Sequence, residues 1–205
     1  YCDEMGVDFF NIRDIVNTVE SRNLHLPGGG VGGHCIPKDT WLLAYGSRGK
    51  YTPDLLLKAR EVNDSMPKYV AKRTLSYLSN KFSQKGPCKI AILGLSYLGE
   101  SDDTRNSPTV ELVRCLESEN VEILVHDHIV RGNQKIPFSS NLDDTVKGSD
   151  VVILMVAHKL YSEISAEYLS RLMRGKLVID ARNVFSVQEF TESTLELYSL
   201  GRGAI

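Results

Sequence analysis

The sequence predicts an α/β protein, a helical first part followed by a parallel sheet with helices on both faces. Up to about residue 85 apolar residues recur at helical spacing. From residue 89 the period changes, and short β-branched runs alternate with helical stretches, the pattern of βαβ units joined by right-handed crossovers. Between the two textures lies Ser83-Gln84-Lys85-Gly86-Pro87, a polar stretch ending in a Gly-Pro breaker. It divides the chain into a helical region, 1–85, and a sheet region, 86–205.

The elements follow in order. Tyr1-Cys2-Asp3-Glu4 reads as the inside of a helix, without the basic start of a signal peptide. Ile12, Ile15, Val16 and Val19 form a helix stripe that ends before Pro27. Asp39 and Thr40 suit the cap of a short helix running to Tyr45. Helices are expected over 54–66 and 67–80, with Pro67 in the first turn of the second and Asp64 or Ser65 as its cap. Their apolar positions Leu55, Leu56, Val62, Val70, Leu75 and Leu78 suit a core or a partner helix. Strands are expected at 89–93, 121–126, 151–156 and 177–179, separated by helices at 108–119, 141–147 and 165–173.

Composition narrows the function classes. The chain has 205 residues, 24 Lys+Arg against 26 Asp+Glu, 42% hydrophobic and 24% charged residues. This is a globular balance that excludes a disordered chain, a coiled coil, a collagen and a disulfide scaffold. A net charge of −2 gives no nucleic-acid footprint. The longest apolar run, 151–157, is far short of the roughly 20 residues of a membrane span. Cys2, Cys35, Cys88 and Cys115 are isolated, with no CxxC and no zinc spacing. They predict no metal site and suit a reducing compartment.

The most informative stretch runs from Pro27 to Asp39 and contains Gly28, Gly29, Gly30, Val31, Gly32, Gly33, His34, Cys35 and Lys38. Five glycines in six positions cost backbone entropy, but let the chain pass close to a neighbour or ligand. A glycine run alone reads as a flexible turn, and a cysteine alone as a small buried apolar residue. Together with Lys38, which favours a thiolate nucleophile, and Asp39, which can act as a base, they read as a reactive site.

This loop, continued by Thr40-Trp41-Leu42-Leu43, resembles the catalytic loop of the nucleotide-sugar dehydrogenases, the family that oxidises UDP-glucose, GDP-mannose and UDP-N-acetylmannosamine. Three further stretches are similar: Ala59 to Pro67, Ile92 to Tyr97 with Asp102 to Pro108, and Asp180-Ala181-Arg182-Asn183 with Leu200 to Gly203. The resemblance implies a helical dimerisation region carrying the cysteine loop, then a Rossmann-like UDP-binding domain. It implies oxidation of a UDP-sugar C6 alcohol to the uronic acid with NAD, through a cysteine thiohemiacetal and thioester, by a cytoplasmic homodimer that makes polysaccharide precursors. By that match Cys35 is the nucleophile, Asp39 helps to activate water and Lys38 stands near cofactor and substrate. The glycines from Gly28 to Gly33 with Val31 wrap the sugar diphosphate, Arg22 reaches a partner's sugar site, Arg105 faces cofactor or nucleotide phosphates and Arg182 the substrate nucleotide. A guanidinium fork suits phosphate oxygens. His34 before the cysteine favours the N-acetylhexosamine branch, so UDP-N-acetyl-D-mannosamine is the expected substrate, with UDP-N-acetylglucosamine and UDP-glucose open.

Two departures stand out. Leu98 occupies the place of a family lysine that contacts phosphate, and no Gly-x-Gly-x-x-Gly string follows a first strand. The resemblance therefore implies the C-terminal half of the enzyme, inactive alone as a dehydrogenase. Two other classes remain: a nucleotide-binding or dimerisation module without chemistry, and a cysteine hydrolase pairing Cys35 with His34, His25 or His158.

Overall fold

A computed structural model describes residues 1–81, 87–131 and 136–203. All of the expected linker except Pro87 lies outside the described residues. The helical part comprises α1 (Cys2–Met5), α2 (Phe9–Val16), α3 (Ile36–Gly46), α4 (Asp54–Asp64) and α5 (Met66–Lys81). The sheet part runs β1 (Cys88–Leu93), α6 (Pro108–Leu116), β2 (Val121–His126), β3 (Phe138–Ser139), α7 (Leu142–Val146) and β4 (Val151–Leu154). It continues with α8 (Lys159–Ser162), α9 (Ala166–Leu172), β5 (Leu177–Asp180), α10 (Val187–Thr191) and β6 (Glu196–Ser199).

The six strands pair in parallel in the order β3-β2-β1-β4-β5-β6. This is the doubly wound, Rossmann-like α/β arrangement. The register sets Ile92 opposite Val125 on one side and Ile153 on the other. Successive strand side chains point to opposite faces, and the core divides accordingly. Ile90, Ile92 and Ile153 pack under Val70 and Ala71 of α5 and Leu112 and Leu116 of α6. Ala91, Leu93 and Leu154 face Val146, Leu169 and Phe190.

Several boundaries differ from the sequence reading. Helix α2 starts at Phe9, because the Asp8 carboxylate accepts from the amides of Phe10 at 2.8 Å and Asn11 at 3.3 Å. Its apolar stripe is no core face, since Ile15 is 71% and Val19 52% exposed. Helix α3 is capped by Cys35 rather than Asp39. Strand β4 stops at Leu154, and β3, β6, α8 and α10 have no counterpart among the expected elements. The expected apolar positions split: Val70 and Leu78 are buried, while Leu55, Leu56 and Val62 are exposed.

One carboxylate ties the helical part to the sheet. Asp3 Oδ2 accepts from the hydroxyls of Tyr198 at 2.7 Å and Tyr69 at 3.1 Å. Its Oδ1 accepts from the amides of Gly201 at 2.8 Å and Gly203 at 3.3 Å. Arg202 adds an ion pair to Asp8 at 2.6 Å.

Candidate active site

The glycine-rich loop crosses the C-terminal edge of the sheet, where ligands of open parallel sheets bind. It is pinned from two sides. Towards the sheet, the Gly29 amide donates to the Ala181 carbonyl at 3.1 Å and the Gly33 amide to the Arg105 carbonyl at 2.8 Å. Asn106 Nδ2 donates to the Gly33 carbonyl at 2.8 Å. Towards α4, Asn63 Oδ1 accepts from the Val31 amide at 3.0 Å, and Arg60 Nη2 donates to the Val31 carbonyl at 3.2 Å. Arg60 is 6% exposed and ion-paired to Asp64.

The sequence explains why glycine fills the gap. Gly30 turns the chain at φ +125°, a conformation L side chains rarely adopt. Gly32 lies so close to the Asn106 carbonyl and Tyr97 that a Cβ would overlap both. The pinning also divides the loop's amides. Gly29, Val31 and Gly33 spend theirs inside the protein, whereas those of Gly28, Gly30 and Gly32 meet no protein acceptor among the described residues.

Arg182 follows β5, and its guanidinium packs on Gly28 too closely for a Cβ there. It is half-buried and forms no ion pair or side-chain hydrogen bond among the described residues. Burial lowers its pKa, against the pull of Asp180. Asp180 is itself buried and receives the amides of Arg182, Val184 and Phe185 at 2.9, 2.7 and 2.8 Å. A half-buried cation without an ion pair or side-chain hydrogen bond among the described residues is the feature of this edge that suits an anion.

Cys35 emerges from the loop as the exposed cap of α3, where free amide dipoles favour negative charge. Its Sγ lies 3.8 Å from His34 Nδ1. Lys38 Nζ and Asp39 Oδ1 meet at 2.5 Å beside it, and this hydrogen bond raises the Lys38 ammonium above the usual lysine range. Arg105 lies near enough for its charge to feel Cys35, but its guanidinium forks onto Asp103 at 2.6–3.0 Å. That bond raises Arg105 and lowers Asp103. Arg22 stands exposed in the turn after α2 and forms no hydrogen bond or ion pair with the other candidate residues. Leu98 is 52% exposed.

The turns after β1 and β2 differ from those of a dinucleotide-binding sheet. In a dinucleotide fold, the acid after the second strand receives a ribose, and the first turn offers amides to pyrophosphate. Here Asp127, just past β2, is fully buried. Its Oδ2 accepts from the Leu95 and Ser96 amides at 2.8 and 3.1 Å and from His158 Nε2 at 3.1 Å. Its Oδ1 accepts from the Ile129 and Val130 amides, both at 3.0 Å. Burial pushes this carboxyl up, but these bonds outweigh it and hold the group far below the ordinary range. The Leu95 and Ser96 amides of the turn after β1 thus serve Asp127, and its carboxylate is buried and already occupied.

The same edge gathers Glu100, His128 and His158, whose ligand atoms lie within 4.8 Å of one another. No spacing signal in the sequence marks them. His158 is committed on both ring nitrogens, Nε2 to Asp127 and Nδ1 to the Glu100 amide at 3.0 Å, which also occupies it as a base for Cys35.

Comparison with known proteins matches residues 1–65 to the central domain of the UDP-glucose/GDP-mannose dehydrogenase family and residues 91–187 to its UDP binding domain. The UDP-N-acetyl-D-mannosamine dehydrogenase of Pyrococcus horikoshii is 34% identical over 88% of this chain and 42% of its own length. The NDP-N-acetyl-D-galactosaminuronic acid dehydrogenase of Ralstonia solanacearum is 31% identical over 91% of this chain and 43% of its own. The solved UDP-D-ManNAc dehydrogenase structure from Pyrococcus horikoshii superposes with a TM-score of 0.87 at 31% identity, covering 100% of this chain and 46% of that one. The chain spans less than half the length of these relatives.

Proposed function

This chain belongs to the UDP-glucose/GDP-mannose dehydrogenase family, and on that premise we propose that it is the cysteine-loop and UDP-binding portion of an enzyme oxidising a UDP-sugar at C6. The substrate we assign is UDP-N-acetyl-D-mannosamine, after the relatives that carry that name. One observation carries the reading: the half-buried Arg182, without an ion pair or side-chain hydrogen bond among the described residues, stands at the start of the loop that leads to the exposed Cys35.

In this reading Arg182 takes a phosphate of UDP, and the free amides of Gly28, Gly30 and Gly32 take diphosphate oxygens. With two NAD as hydride acceptors, the C6 alcohol would be oxidised to an aldehyde, and the Cys35 sulfur would add to its carbon to form a thiohemiacetal. Loss of the second hydride would give a thioester, and attack of water would release the acid and free the thiol. Asp39, held by Lys38, orients the water. The dehydrogenase takes NAD as its oxidant. Hydride removal is assigned to no residue of this chain. Arg105 serves a phosphate only after leaving Asp103. The exposed Leu55, Leu56 and Val62 of α4 supply apolar surface for a homodimer, and Arg22 reaches the partner's site.

Calorimetric titration with UDP-N-acetylmannosamine, UDP-glucose and UDP tests the reading. UDP and its sugars should bind, and Arg182→Ala should weaken binding about tenfold or more, the scale of a charge-assisted hydrogen bond. Absence of any UDP binding, or binding unchanged in the variant, overturns it.

A further inference from the structure

We propose that Asn106 is a positioning residue for Cys35, fixing the thiol relative to the turn that bears Arg105. The inference deepens the reading above and rests on it for its catalytic meaning, although the contact itself does not.

Three features single out Asn106. It is a non-glycine residue at φ +49°, a left-handed conformation that asparagine tolerates better than most but that still needs support. Its side-chain amide donates to the Gly33 carbonyl at 2.8 Å, while the Gly33 amide donates to the neighbouring Arg105 carbonyl at 2.8 Å. Both polar groups of Gly33's backbone are thereby held by one dipeptide, like a rung of a strand ladder. Finally, the Asn106 carbonyl fills the space left by the missing side chain of Gly32.

The anchor is rigid on its own side. The Ser107 amide donates to the Thr104 carbonyl at 3.2 Å, the Tyr97 amide to the Asp103 carbonyl at 2.9 Å and the Arg105 amide to Asp103 Oδ1 at 2.9 Å. Ser107 then caps α6. The last fixed point before Cys35 thus belongs to the β1–α6 turn, two residues away along the loop. A ligand that draws Arg105 away from Asp103 would pull on the same turn, and Asn106 would carry that displacement to the thiol.

The test measures the alkylation rate of each cysteine by iodoacetamide in the intact chain, read peptide by peptide, for wild type, Asn106→Asp and Asn106→Gly. Aspartate keeps the shape but cannot donate to Gly33. Glycine keeps the left-handed backbone but loses the amide. Both should change the Cys35 rate by about threefold or more, the scale of one hydrogen bond, with Cys115 unchanged. Three outcomes overturn the proposal: an unchanged Cys35 rate in both variants, wild-type behaviour of Asn106→Gly, or Cys35 and Cys115 moving together as in general loosening. Repeating the wild-type measurement with UDP separates the two ideas. No binding of UDP removes the nucleotide reading and leaves the Asn106 contact to stand or fall on the variants alone.

Discussion

Asp127 is a carboxylate without solvent and with five donors: the amides of Leu95, Ser96, Ile129 and Val130, and His158. Its folded pKa lies below its unfolded value, so its stabilising contribution is complete above the ordinary carboxylate pKa of about 3.9 and drains as pH falls below it. Asp127→Asn should cost about 3 kcal/mol at neutral pH. It should also flatten the acid limb, so that urea melts of variant and wild type converge between about pH 4 and pH 2. The site was only partly legible at this scale. Cys35, Lys38 and Asp39 stand together because their motif is contiguous. Asn63 and Asn106 act by bonding the backbone of Val31 and Gly33, far away in sequence, and a side chain that serves a distant carbonyl leaves no local pattern. Asp127 was illegible for the same reason, since its partners come from two turns and the N-cap of α8.

Helix α6 shows what local chemistry does settle. Ser107 accepts from the Thr109 amide at 3.2 Å, Pro108 occupies the first turn, and Thr109 Oγ1 donates to the Gly94 carbonyl at 2.8 Å. A polar cap, a preset φ and an apolar stripe all agree, and the sequence placed the start of this helix correctly. Ser107→Ala should cost about 1 kcal/mol, measurable as a lowered urea midpoint with an unchanged slope. Strands β1 and β2 were legible because each holds a short apolar run, 90–93 and 123–125. Strands β3 and β6 were not: both lie at sheet edges, one has two residues, and β6 starts on the exposed Glu196. An edge strand needs no continuous apolar face. The start of α3 escaped because cysteine is not among the preferred caps.

Across the whole molecule, the helical part and the sheet meet at few polar points, and Asp3 is the densest. Its four bonds reach Tyr69 on α5 and residues 198–203 beside β6. Burial and the Asp3 carboxylate raise the Tyr198 phenol, so it stays a neutral donor. Asp3→Ala should cost about 2–3 kcal/mol and should speed amide exchange at Gly201 and Gly203 ahead of the sheet interior, as hydrogen-exchange mass spectrometry would record. The glycine loop has the opposite thermal character. Gly29, Val31 and Gly33 bond Ala181, Arg105, Asn106 and Asn63 of α4, so these contacts should open together with the sheet edge. A segment woven into its scaffold in this way has no melting point of its own. Warmed, the protein should keep its thiol in register until the sheet edge itself gives way, and then lose shape and reactivity in one step.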